Sequence, residues 1–216
     1  MLPAAPDARV AKQLRPPILG VLVLSLVTGG LFPLVLFAIG TLLFPYQAGG
    51  SLTLLRGAVV GSMLIGQEFS GPEWFQPRPS AAGNGYDGTA SGGSSLAPGN
   101  PKLTDGAAGF AGIRALAAEY RRRNGLDADA PIPIDAVTRS GSGLDPDISP
   151  ANAFLQVARV ASVRKLEESV VRRLVAAHVV QPQLGFLGDP RVSVLELNLA
   201  LLRLPQQPGP VAQVAR

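Results

Sequence analysis

Residues Ile18–Phe44 read ILGVLVLSLVTGGLFPLVLFAIGTLLF, and the window from Pro16 to Leu55 holds no Asp, Glu, Lys, Arg or His. A helix of 27 residues is about 40 Å long at about 1.5 Å per residue. A bilayer core of about 30 Å takes about 20 residues. One crossing fits, with tilt; two do not. Residues 16–44 are therefore expected to form a single transmembrane helix. Pro33, just after Gly29-Gly30, would break a helix in water but only kinks one in a membrane. The run is also too long for the roughly 7–15 apolar residues of a signal peptide. A secreted domain cleaved near Gly40 is thus the lesser alternative.

Working outward, Arg9, Lys12 and Arg15 precede the span, and the first cation after it is Arg56. The positive-inside rule then puts residues 1–15 in the cytoplasm and residues 45–204 outside. The tail, residues 205–216, is rich in Pro and Gln and is expected to be disordered. The formal charge of +4 divides between the two sides. The N-terminal arm supplies +2, and 16 basic against 14 acidic residues from Pro45 onward supply the other +2. That balance points to orientation rather than to a nucleic-acid partner. The 216 residues contain no cysteine and one histidine, His178. Disulfide scaffolds, Cys-ligated metals and cysteine nucleophiles are excluded, and no His-rich metal site is available.

The exterior portion reads as one α+β domain of short strands and about three helices, tethered by the N-terminal transmembrane helix. Ser51–Leu55 and Ala58–Ile65 suggest strands around an Arg56-Gly57 turn. Residues 66–101 are dominated by Gly, Pro, Ser and Asn, yet Phe69, Trp74, Phe75 and Tyr86 fall within them. Four aromatics argue for an ordered long loop, the kind that carries function. Apolar spacing predicts a helix from Thr104 to Asn124, and Ile132-Pro133-Ile134 with Ala136–Ser140 reads as an edge strand. A helix capped by Ser149 with Pro150 at its first position runs to Arg164, and another spans Glu167–His178. Val192–Leu202 alternates and is expected to be a strand.

Few motifs suggest chemistry. Ala90–Ser94 could form a backbone nest for an anion, or an ordinary tight turn. No GxxxxGK[ST] phosphate loop is present. Ser142 with His178 and either Asp145 or Asp189 could make a hydrolytic triad, but Gly141-Ser142-Gly143 is not GxSxG. Asp145 and Asp147 could hold a hard cation, though two carboxylates make a weak site; capping roles for Asp145 and Ser149 are the plainer reading. Trp74 and Phe75 could stack with Arg78. No catalytic and no metal-binding residues are assigned.

The ordered series of fragments is more specific than any one of them. Gly61-Ser62, Leu64–Gln67 and Phe69 are followed by Arg78–Ala81, then by Ser91–Ser94, Leu96, Pro98 and Asn100-Pro101. Ser140–Pro146, Ile148–Pro150, Gln156, Arg159–Ala161, Gly185, Leu187-Gly188 and Pro190–Val192 complete it. From Leu14 to Leu204 the chain resembles the C subunit of the Kdp-type potassium-transporting P-type ATPase (the KdpC family). It departs from the family pattern at Trp74, Ser95, Asp147 and Ser193, where the family usually has Tyr, Asn, His and Asn.

The resemblance implies a non-catalytic accessory subunit in the bacterial cytoplasmic membrane, crossing it once with its main domain outside. Its partners would be a channel-like A subunit, a P-type pump B subunit, a small F subunit and membrane lipid, with no nucleic acid. ATP and potassium would belong to the complex, not to a cofactor site of this chain. The family is also described as raising the pump's ATP affinity, yet ATP is cytoplasmic and the domain is expected outside. The candidate contact residues are Gln67, Phe69, Arg78, Pro79 and Ser80, then Ser91, Gly92, Gly93, Ser94 and Asn100. Ser140, Gly141, Ser142, Gly143, Asp145 and Pro146 form a second surface. Thr28, Gly29, Gly30 and Pro33 are the candidates for helix packing in the membrane.

Overall fold

The computed structural model describes residues 8–204. The whole of the expected tail, residues 205–216, and the first seven residues of the arm lie outside them. The chain divides into two compact units, one ending at Leu52 and the other starting at Thr53.

The first unit is the apolar helix. Helix α1 (Ala8–Leu26) continues through a π turn (Val27–Leu31) into α2 (Phe32–Leu43). Lys12–Leu43 is 32 residues long, with none of its most apolar window buried, and is long and apolar enough to cross a membrane. Pro33 is the second residue of α2, just beyond the π turn, so the irregularity expected at the Gly29-Gly30-Pro33 segment is a widened turn. A short helix α3 (Pro45–Ala48) follows.

The second unit mixes helix and strand. Strands β1 (Leu52–Leu55) and β2 (Ala58–Ser62) pair. Arg56 and Gly57 between them both take left-handed φ, 53° and 83°, as a tight hairpin turn requires. From Met63 to Asn100 there is no helix or strand. The expected helix Thr104–Asn124 is broken. Helix α4 (Pro101–Asp105) stops at Gly106, whose φ is 91°, and α5 (Ile113–Asn124) restarts after Gly112. A side chain at Gly112 would lie 2.3 Å from Gly106 N, so the chain folds back closely on itself there. The expected edge strand at 132–140 is instead a 3-10 turn, Ile134–Ala136.

Helices α6 (Pro150–Arg164) and α7 (Glu168–Ala177) lie close to their expected bounds. The expected strand Val192–Leu202 is mostly helix. Only Val192–Ser193 (β4) pairs, antiparallel to β3 (Asp147–Ile148), and α8 spans Val194–Arg203. Ser193 caps α8, accepting from Glu196 N at 3.4 Å. Buried Val194, Leu195, Leu197, Asn198 and Leu201 follow helical spacing. The core joins α6, α7 and α8 around Phe75, Ile148 and Val192, all at most 2% exposed.

Candidate functional site

The 63–100 segment is ordered by side chains that take the place of a neighbouring strand. Phe75 N donates to Asn198 Oδ1 and Phe75 O accepts from Asn198 Nδ2, both at 2.9 Å. The next residue repeats the pattern. Gln76 N donates to Gln156 Oε1 at 2.7 Å, and Gln76 O accepts from Gln156 Nε2 at 3.1 Å. Arg159 Nη1 donates to Pro72 O and Trp74 O, and Arg164 Nε donates to Glu73 O at 2.8 Å. Five consecutive residues, 72–76, are thereby tied to α6 and α8, with Phe75 fully buried. The expected stacking of Trp74 and Phe75 with Arg78 does not form. Trp74 lies 4.3 Å under the Arg164 guanidinium, while Phe75 is inside the core.

These anchors belong to a polar stripe on α6 that sequence reasoning missed as a stripe. Asn152, Gln156 and Arg159 recur at helical spacing and are all buried. Asn152 Oδ1 accepts from Tyr120 OH and Gln156 Nε2 at 2.8 and 2.9 Å, and Asn152 Nδ2 donates to Asp135 at 2.9 Å. Arg159 Nε donates to Asn124 Oδ1 at 2.9 Å. Asp135 also accepts from Ser149 N and Ser149 Oγ, both at 2.8 Å. Burial pulls Arg159 down to about 10, and neighbouring Arg123 adds to the effect. The signal was present: polar residues at i, i+4 and i+7 in an otherwise apolar helix. Gln156 and Arg159 entered the sequence reading only as parts of a resemblance.

The two candidate surfaces meet in one seam. Gly92 N and Ser91 Oγ both donate to Ser142 O, at 2.8 and 3.0 Å. Gly66 N donates to Leu144 O at 2.7 Å, and Ser80 Oγ to Gly143 O at 2.6 Å. Ser80 Oγ in turn accepts from Ala82 N and Tyr86 N. Arg78 pairs with Asp145 at 2.7 Å. A side chain on Gly93 would meet Gly141 O and Ser140 O at 3.0 and 3.1 Å, so the backbones are nearly in contact.

The remaining candidates make other contacts. Gln67 Nε2 donates to Ser62 O in the hairpin, and Phe69 packs on the core with its ring 6.0 Å from Trp74. Pro79 lines a cleft with Tyr86 and Tyr120. Ser94 is half-buried, and Asn100 caps α4. Pro146 O accepts from Val194 N. Thr28 Oγ1 donates to Leu24 O within its own helix.

The geometry disposes of the sharper chemical alternatives. The nest at Ala90–Ser94 has its Gly92 N–H bonded to Ser142 O, so that donor is not available to an anion. Ser142 Oγ accepts from Leu144 N, whereas His178 Nδ1 lies 2.8 Å from Leu174 O in its own helix. No bond joins the two among the described residues. Asp145 and Asp147 are paired with Arg78 and Arg191, and Asp145 Oδ1 caps Asp147 N at 3.1 Å. Burial raises the Asp147 carboxyl above its ordinary value, even with Arg191 lowering it. Among the described residues no group of three or more His, Cys, Asp or Glu could hold a metal ion.

A family model described as KdpC, the c chain of K+-transporting ATPase, matches residues 14–203. The chain belongs to the KdpC family. Curated relatives agree. The chain is 51% identical over 189 residues to the potassium-transporting ATPase KdpC subunit of Kineococcus radiotolerans, covering 84% of this chain and 90% of that one. It is 47% identical over 193 residues to the subunit of the same name from Mycobacterium bovis BCG, covering 89% and 99%. To that of Beijerinckia indica it is 47% identical over 201 residues, covering 93% and 98%. As a KdpC chain it is an accessory subunit of a potassium-transporting ATPase complex. The KdpC match covers the apolar helix and the whole seam, and the hydrolase alternative finds no support.

Proposed function

We propose that this chain acts as a non-catalytic scaffold of the potassium-uptake complex, anchored once in the bacterial cytoplasmic membrane with its N-terminus inside. Its exterior domain caps the outer mouth of the channel-like A subunit and keeps that subunit in register with the P-type pump subunit and the small F subunit. The span packs on a neighbouring helix through Thr28, Gly29 and Gly30, where small side chains allow close approach. Any effect on the pump's use of ATP is exerted through these partners, not through a nucleotide site on this chain.

The observation that carries this reading is the long segment pinned by side chains to α6 and α8. A loop without regular structure is normally mobile. Here residues 72–76 are held to α6 and α8 by side-chain hydrogen bonds, which suits a shaped contact surface rather than a lid or a reacting site. The Arg9–Lys12–Arg15 arm supports the orientation.

The test uses the full chain carrying a C-terminal tag, recovered from membranes in detergent. The expected outcome is co-recovery of the channel-like and pump subunits, with no saturable binding of labelled ATP by the chain alone. Saturable micromolar binding that is lost on changing Ser91 or Ser94 defeats the scaffold reading.

A further inference from the structure

The segment between α7 and β4 leaves the domain as an apolar tip braced from within. At its base Val180 and Arg191 exchange two backbone hydrogen bonds, at 2.8 and 3.0 Å. Nearer the end Gln183 and Leu187 exchange another pair, at 3.0 and 2.9 Å, and Gly185 N donates to Pro182 O. The tip thus has a fixed shape of its own making. Leu184, Phe186 and Leu187 stand on it, 83%, 73% and 49% exposed. Leu184 takes a φ of 53°, a left-handed conformation that costs a branched side chain roughly 1 kcal/mol and would cost glycine nothing. A strained conformation held at the outermost point of a loop is a pointer to function.

Charge narrows the choice of partner. From Val179 to Gly188 no residue is charged or titratable, and Arg191 at the base is paired with Asp147 at 3.0 Å. Segments that lie on a membrane surface back apolar side chains such as Phe and Leu with Lys or Arg that hold anionic headgroups. This tip has no Lys or Arg, and the first charge beyond it is Asp189, which such headgroups repel. Apolar side chains this exposed on a soluble surface mark an interaction site.

We propose that the Leu184–Phe186–Leu187 tip is a docking knob that seats in an uncharged, apolar hollow of another protein subunit of the ATPase complex. The internal bracing means little order is lost on docking. Phe186 is the aromatic anchor, the type of residue on which interface energy concentrates. The proposal rests on the reading that this chain holds other subunits, and the test separates the two.

The full chain, tagged at its C-terminus, is co-expressed with the other subunits and recovered in detergent, as wild type and as Leu184→Ser/Phe186→Ser. The expected result is a fall in recovered partner of roughly tenfold or more, as truncation of an interface anchor gives. The melting temperature of the variant chain alone should be unchanged, because the altered side chains are mostly exposed. Full recovery by the variant overturns the knob and leaves the scaffold reading standing. Failure of the wild-type chain to recover any partner overturns both. A second variant, Phe186→Trp in a Trp74→Phe background, reports the surroundings of the tip in nanodiscs containing anionic lipid. Indole emission should shift to the blue only when the partner subunits are present. A blue shift in nanodiscs holding this chain alone assigns the tip to lipid and overturns the proposal.

Discussion

Tyr86 shows how much the seam depends on single groups. Its hydroxyl donates to Arg78 O at 2.6 Å. Burial pushes the phenol from its ordinary 10 up to about 12, with Glu68 raising it further and Arg123 opposing. The folded state therefore holds the phenolic proton more tightly than the unfolded chain does. The stability this supplies is complete below pH 10 and is lost as pH rises from 10 through about 12. The shift corresponds to on the order of 2 kcal/mol. Denaturant melts of the domain across this window should show that decline, and Tyr86→Phe should reduce it, the remainder coming from Tyr120, whose phenol burial also raises. An equal decline in the variant would place its origin elsewhere. Ser95 has a φ of 51°, a conformation that Asn adopts more readily, so here serine carries the strain. Ser193 caps α8 as Asn would.

At the scale of elements, what was legible followed from strong local signals. Ser149-Pro150 announced α6, and the acidic start at Glu167-Glu168 announced α7. Arg56-Gly57 announced the hairpin. What was misread involved two competing periods. Val192 and Val194 alternate, as do Leu195, Leu197 and Leu199, yet Val194, Leu197 and Leu201 also keep helical spacing, and Ser193-x-x-Glu196 was the capping signal that decides it. The measurable consequence is that Ser193→Ala should destabilise the domain by about 1 kcal/mol, read as a lowered denaturation midpoint with unchanged slope. No change would mean that packing of Leu195, Leu197 and Leu201 alone sets the start of α8. The break between α4 and α5 was hidden because Leu103, Phe110 and Ile113 keep an approximate helical spacing across three glycines. Pro133 ended the expected strand at 132–140 by favouring a tight turn.

Across the whole molecule, the apolar anchor was the most legible part, because about forty charge-free residues admit few readings. The seam was legible only in part. Gly, Ser and Asp at loop positions suggested contacts, but not that Ser91–Gly93 would meet Ser140–Gly143, since pairing between loops far apart in sequence leaves no periodic trace. The polar stripe of Asn152, Gln156 and Arg159 was less legible still, because an amide that replaces a strand neighbour looks in sequence like a solvent-facing residue. Yet that replacement has a kinetic signature. Phe75 and Gln76 lie in no strand, but their amide protons are bonded to buried side chains of α8 and α6 that separate only when the helices do. Their deuterium uptake should be as slow as that of the central turns of α6, orders of magnitude behind the amides of the 63–100 segment that face solvent. In Asn198→Ala the Phe75 amide should exchange fast while α6 remains protected. A clock set by two side-chain amides, in a stretch that a secondary-structure map would leave blank, marks where this loop is locked.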